Sequence, residues 1–190
     1  TIEDTGIKVS GVGVGEWGEG GSQQVQVGAH TVTVKLSEDT GIADDVLTNV
    51  KVDGKNVIIK AYSVSGQHLK CSLGEGVFSP LNKTSNLVYT FTLSNIASDI
   101  TATIGYAKPV TVNVSSNSAV YGTAKFVGDS YEGEQVTFTA TTKNEYSKFI
   151  GWQDADGKTL STENPYNVAL HSSISVKADF ELPEGVIDIN

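Results

Sequence analysis

The residues able to do chemistry in this chain are few and widely spaced. Gly13-Val14-Gly15-Glu16-Trp17-Gly18 has the spacing of a phosphate-cradling glycine loop. That spacing holds a dinucleotide only when a helix follows at once and lays its N-terminus against the pyrophosphate. Here Gly20-Gly21-Ser22-Gln23-Gln24-Val25 follows and leads into a strand. An exposed glycine loop offering Trp17 to a partner is therefore expected, and no cofactor. Asp154-Ala155-Asp156-Gly157 puts carboxylates at alternate positions before a glycine, part of a calcium loop. Asp154 and Asp156 are the metal candidates, although D-x-D-G is also a common hairpin tip. His30, His68 and His171 are scattered, without the i, i+4 spacing that suits zinc. Cys71 is the single cysteine, so no internal disulfide can form. With no histidine or acid beside it in sequence, it is expected to be a small buried hydrophobe. Glu38-Asp39 and Asp44-Asp45 read as solvated loop charges, and no G-x-S-x-G nucleophile elbow occurs. No catalytic residue is assigned, and the protein is expected not to be an enzyme.

The elements that must position these residues are strands. In 190 residues, 38% are hydrophobic and 18% charged, enough apolar matter for one large or two small domains. Gly is abundant at 20 and Pro scarce at 4, while Val, Thr, Ile, Tyr and Phe fill the remaining pattern, which favours strands. The formal net charge is -9 and every one of the 13 basic residues is lysine. Such a chain is repelled by phosphate backbones and anionic membranes, and it lacks the bidentate arginine fork. Nucleic acid is excluded as an expected partner. No run of apolar residues is long enough to span a bilayer, so membrane insertion is not expected.

Alternation with period 2 predicts strands near 7–12, 24–28, 31–36, 49–53, 56–62, 67–72, 87–93 and 99–106. In the second half it predicts 110–115, 120–127, 135–141, 147–152, 157–161, 166–170 and 174–181. Gly41 to Thr48 is the one helix candidate, and a loop fits it equally well. Connections of two to six residues with turn signals such as Asp53-Gly54 and Asp156-Gly157 imply antiparallel pairing. The fold class is all-β, as two tandem antiparallel β-sandwich or β-grasp-like modules.

Lys108-Pro109 is the expected boundary, because proline forces an extended residue before it and donates no ladder hydrogen bond. It separates an N-terminal domain, 1–108, from a second, 109–182, with 183–190 as a tail. The halves show a distant repeat. Val27 to Val34 parallels Glu132 to Thr139, and Val50 to Lys55 parallels Trp152 to Lys158. Tyr89 to Leu93 followed by Asp99 to Tyr106 parallels Tyr166 to Leu170 followed by Ile174 to Phe180. On that alignment the first copy carries an insert near 61–85. Phe126, Phe138, Phe149, Trp152, Tyr166 and Phe180 are spread over these strands and are expected to share one core. Each buried ring should contribute about 2–3 kcal/mol.

A further pattern runs through the second half: Gly122 and Phe126, then Gly133 and Val136-Thr137-Phe138-Thr139-Ala140, then Phe149-Ile150-Gly151-Trp152, closing on Val176-Lys177-Ala178-Asp179-Phe180. Over about 110–181 it resembles the divergent form of the internalin-type B-repeat of bacterial surface proteins. The first half departs from this pattern, with Asn49-Val50 standing where the second has Gly151-Trp152. The resemblance implies an extracellular or cell-surface protein that acts as spacer, adhesion or attachment unit, with no catalytic residues. Two other roles fit the same strands: a virion component of a phage, or a carbohydrate-binding module presenting Trp17 or a row of tyrosines to a glycan. A protein partner or self-association through exposed strand edges is expected.

Overall fold

In the computed structural model, the described residues are 7–8, 17–18, 22–83, 85 and 87–182; at 7–8 and 17–18 the description is of the backbone alone. The chain divides into two compact units, Thr1–Lys108 and Pro109–Asn190. The first contains β1 (Ile7–Lys8), β2 (Trp17–Gly18), β3 (Gln23–Val27), β4 (His30–Leu36), α1 (Ile42–Asp45), β5 (Val46–Asp53), β6 (Asn56–Ser63), β7 (Leu69–Gly74), β8 (Val77–Phe78), β9 (Leu81–Lys83), β10 (Val88–Leu93) and β11 (Ile100–Tyr106). The second contains β12 (Val112–Ser116), β13 (Gly122–Val127), β14 (Gln135–Thr142), β15 (Lys148–Gln153), β16 (Thr159–Ser161), β17 (Tyr166–Ala169) and β18 (Ile174–Glu181). The all-β expectation holds. The helix is a single turn and shorter than Gly41 to Thr48, because Val46 and Thr48 turn their side chains into the core as the start of β5.

The first unit is a sandwich of two sheets, ordered β1-β2-β5-β6-β10-β9 and β3-β4-β11-β7-β8. Alternating residues from both meet in one cluster: Val32, Val34, Leu69, Cys71, Ala102 and Ile104 from one sheet, and Val57, Ile59, Ala61, Tyr89 and Phe91 from the other. The period-2 pattern of β6, buried at every second residue, shows why these sequences form strands with one face inward. The second unit stacks β12-β18-β15-β16 against β13-β14-β17. Its core holds Val136, Phe138, Trp152, Leu170, Val176, Ala178 and Phe180.

Pairing is not antiparallel throughout. Each unit has one parallel ladder, β4 with β11 and β12 with β18. The reason is connectivity: the last strand of each unit returns in the same direction as an early one, after the whole intervening chain has crossed both layers. The ladders match in detail. Val32 to Leu36 run beside Ile100 to Ile104, and Val112 to Ser116 beside Ile174 to Ala178. Just past each ladder the same bond recurs: Ser37 N–H donates to Ile104 O at 2.8 Å, and Asn117 N–H to Ala178 O at 2.9 Å.

Extending that correspondence, β4, β5, β6, β7, β8, β10 and β11 have the neighbours and directions of β12 to β18 taken in order. This revises the repeat read from sequence. The match of β10 and β11 with β17 and β18 agrees with it. The other two do not: Val27 to Val34 is the β3–β4 hairpin, not a counterpart of β14. Asp53-Gly54 joins β5 to β6, the counterparts of β13 and β14, whereas Asp156-Gly157 joins β15 to β16. Residues 61–85 are not an insert as a whole, since β7 and β8 stand where β15 and β16 stand. The additions of the first unit are β1, β2, β3 and β9. Gly151-Trp152 has as its counterpart Lys70-Cys71, not Asn49-Val50, because Cys71 lies opposite Ile104 as Trp152 lies opposite Ala178.

Candidate functional site

In the second unit the six aromatic residues expected in the core form a connected set of rings. Phe138 stands 5.7 Å from Trp152, 6.1 Å from Phe126 and 6.1 Å from Tyr166, and Phe149 stands 5.3 Å from Trp152 and 5.9 Å from Phe180, centroid to centroid. Phe138, Trp152 and Phe180 are fully buried, and Phe126, Phe149 and Tyr166 pack against them as partly buried neighbours. Trp152 donates its indole N–H to Glu163 O at 2.9 Å, which satisfies the polar end of an otherwise apolar ring. It is therefore a core residue and unavailable to stack on a sugar. Gly122 is required by packing: a Cβ there would lie 2.4 Å from the Phe180 ring and 2.7 Å from Thr141 O.

A concave surface of this unit lies on the outer face of β12 and β18. Asn113 and Ser115 from one strand and Ser175 and Lys177 from the other meet side by side, because the parallel register aligns residues 62 apart in sequence. Asp154 and Ala155, from the β15–β16 turn, form its wall, and the cavity measures about 210 Å³. Sites for drug-sized ligands are usually about 300–1,000 Å³ and mostly apolar. This one is smaller; hydroxyls, an amide, one ammonium and one carboxylate stand in its lining beside Ala155 and Val176, most of its surface is apolar, and neither imidazole nor thiol is present. It suits a surface contact better than the enclosure of a substrate. The sequence shows its residues only as the polar members of two alternating strands; the juxtaposition comes from the parallel ladder.

Asp154 has a structural task. Its Oδ1 accepts the backbone N–H groups of Asp156 and Lys158, each at 2.9 Å, and its own N–H donates to Lys158 O. The D-x-D-G segment is thus a capped hairpin tip, with one of the two calcium-candidate carboxylates, that of Asp154, turned onto its own backbone. Trp17 lies in the two-residue β2, paired through Lys8, and its side chain lies outside the described residues. Gly13 to Glu16 and the tail 183–190 also lie outside them.

In the first unit the loop acids are not simply solvated, which corrects the sequence reading for two of them. Tyr106, at the end of β11, donates its hydroxyl to Asp45 Oδ2 at 2.7 Å, and Ser65 donates both its hydroxyl and its backbone N–H to the same carboxylate. Asp39 accepts from the Ser37 hydroxyl at 2.7 Å and from Tyr106 N–H at 3.2 Å. These contacts tie β11 to α1 and to the β6–β7 turn. The Ser37 hydroxyl, the Tyr106 N–H and more distant lysines hold Asp39 below the usual carboxylate range despite partial burial. Burial pushes Asp45 upward, but the Tyr106 and Ser65 donors outweigh it and leave that carboxyl lowered as well. Burial, the Asp45 bond and the nearby negative charges push the Tyr106 phenol up to about 12. The cluster is a hydrogen-bonded lock between β11, α1 and the β6–β7 turn. Sequence spacing could not reveal it, since Asp45 and Tyr106 are 61 residues apart.

Cys71 is fully buried, and desolvation pushes its thiol up to about 12, so it is inert packing. His30 lies 3.9 Å from Asp99 at the start of β4, His68 sets its ring edge-on to Tyr89 at 6.4 Å, and His171 is exposed after β17.

The described residues thus form two all-β sandwich units of one connectivity. Residues 110–184 match the family model described as Divergent InlB B-repeat domain, the class to which the Gly122-to-Phe180 pattern points. No curated protein and no solved structure matches the chain. Among the described residues, no helix is long and apolar enough to cross a membrane.

Proposed function

We propose that this chain is a non-enzymatic, surface-exposed structural or binding protein that presents β modules outward as spacer, adhesion or attachment units. The observation that carries the reading is the match of 110–184 to a bacterial repeat domain. It is supported by what the strands enclose. Both interiors are filled by side chains, and the cavity on the second unit is small and open. Tyr146 is the one exposed Phe, Tyr or Trp among the residues whose side chains are described. Stacking on a glycan therefore has little to work with there, and protein contact through strands and polar faces is favoured. The test is surface digestion of intact producing cells, followed by detection of this chain. Loss of the chain while a cytoplasmic marker survives is expected; full protection with recovery in the cytoplasmic fraction would overturn the reading. Steady turnover of a glycan or peptide by the purified chain, abolished by Asp45→Asn or Asp154→Asn, would overturn the non-enzymatic part.

A further inference from the structure

The shared connectivity allows the sheet edges of the two units to be compared strand by strand. In the first unit, β4 is covered by β3, β5 by β2 and β10 by β9. Their counterparts β12, β13 and β17 each have a hydrogen-bonded neighbour on one side only among the described residues. Open edges are usually blunted by charge, proline or brevity. β13 carries Lys125, β17 is four residues long and follows Pro165, and the remaining edge, β16, is three residues long. β12, Val112-Asn113-Val114-Ser115-Ser116, is five residues long with no charge and no proline, and its ladder with β18 is unbroken.

The ladder fixes which groups of β12 face outward. Thr111 O accepts from Ile174 N–H and Asn117 N–H donates to Ala178 O, so the odd-numbered residues spend their backbone groups on β18. Parallel strands alternate in this respect. The N–H and C=O of Val112, Val114 and Ser116 therefore point away from the sheet. Their counterparts Val32 and Val34 stand opposite Val25 and Gln23 of β3, an antiparallel strand that also adds Val25 and Val27 to the core. The chain before β12 does not fold back in the same way. Pro109 bridges to Tyr131 and Val110 N–H donates to Ser130 O at 2.9 Å, which commits it to another part of the unit.

We propose that the open edge of β12 is a strand-docking site occupied by β12 of a second copy of this chain, antiparallel, with Val114 opposite its own copy and Val112 opposite Ser116. The slot accepts an antiparallel strand in the first unit. An antiparallel pair centred on Val114 is self-complementary, so it closes with two-fold symmetry and leaves no β12 edge open. The strand is neutral, which keeps the charges of a chain of net charge -9 out of the seam. This goes beyond the presenting role and fails separately from it, since a surface module can be monomeric.

The test is sedimentation of the full chain over a concentration series up to about 1 mM, because an interface this small binds weakly. A reversible monomer–dimer equilibrium is expected. Val114→Pro removes an outward N–H without touching the β18 ladder, as edge strands tolerate. It should shift the chain to monomer at every concentration while the circular dichroism stays native, and Val112→Pro should do the same. Lys125→Glu on β13 should leave the dimer unchanged. Amide hydrogen exchange on the wild-type chain provides a reading that needs no variant. Exchange at Val112 and Val114 should slow as concentration rises, whereas Asn113 and Ser115 stay protected throughout. A chain that remains monomeric at the highest concentration would overturn the proposal. So would a dimer that survives both prolines, is lost in Lys125→Glu, or forms with no added protection at Val112 and Val114.

Discussion

The two units use one strand plan and fill it differently. At the position where the second unit puts Trp152, the first puts Cys71. The volume is made up from the facing sheet, where Tyr89 and Phe91 on β10 are buried and stacked at 6.5 Å. In the second unit the equivalent strand, β17, contributes Tyr166 and Val168 only as partly buried neighbours, and Trp152 meets Phe138 instead. A sandwich core thus fixes total volume and inward alternation, while the layer that supplies the large ring is free to change. The edges differ in the same spirit. The first unit spends four additional strands on covering its flanks and adds the Tyr106 lock; Phe180 stands where Tyr106 would be and turns its ring into the core.

Substitutions sharpen this contrast, beginning with the largest effect. Trp152→Ala should destabilise the second unit by about 3–5 kcal/mol, the range for removing a large buried ring. Denaturant melting read by amide exchange should show protection falling across β12 to β18 and persisting across β4 to β11. Equal loss in both would mean that the two clusters do not behave as separate cores. Gly122→Ala should cost about 2–3 kcal/mol in the same unit, because its methyl meets the Phe180 ring and the Thr141 carbonyl. A melting temperature within a degree of the parent would show that this approach relaxes freely. Tyr106→Phe should cost the first unit about 1 kcal/mol by leaving Asp45 without one donor.

The lock also has a pH signature. Asp39 and Asp45 are lowered, so their contribution is present above the ordinary value of 3.8 and is lost as pH falls below it. Tyr106 is raised, so its contribution is complete below pH 10 and drains away as pH rises from 10 to about 12. Melting curves of Tyr106→Phe against the parent should converge on the alkaline side and separate at neutral pH. A constant difference across that window would remove the phenol from the account. The smallest effect is at Cys71: a thiol reagent at pH 8 should leave the native chain unmodified and react once denaturant is added. Rapid labelling of the native chain would contradict its burial.

Much of the architecture was legible in the sequence because single strands announce themselves locally. The alternation of β6, β10, β14 and β18 marks both their extent and their inward faces. Pairing is not local, and there the sequence misled. Val27 to Val34 and Glu132 to Thr139 look alike as short glycine-led strands, yet the first runs into β4, the counterpart of β12, and the second into β14. β8 and β9 have two and three residues, too few for any period to show. The cavity on β12 and β18 and the Asp45–Tyr106 bond both join residues about 60 positions apart, brought together by strands that return late in each unit. Trp152 was legible as core because it is one of six rings spread over the strands of the second half, although its own strand is bulged and does not alternate. Its exchange for Cys71 was not, since nothing in Lys70-Cys71 resembles Gly151-Trp152.

The central claim is that both units close on the same parallel ladder. It is tested most directly by through-space NMR contacts between backbone protons of the intact chain. The account predicts parallel-type contacts aligning Val34 with Ala102 and Val114 with Val176, together with antiparallel contacts aligning Val25 with Val32. Finding β4 and β11 antiparallel or apart, while β12 and β18 run parallel, would contradict it.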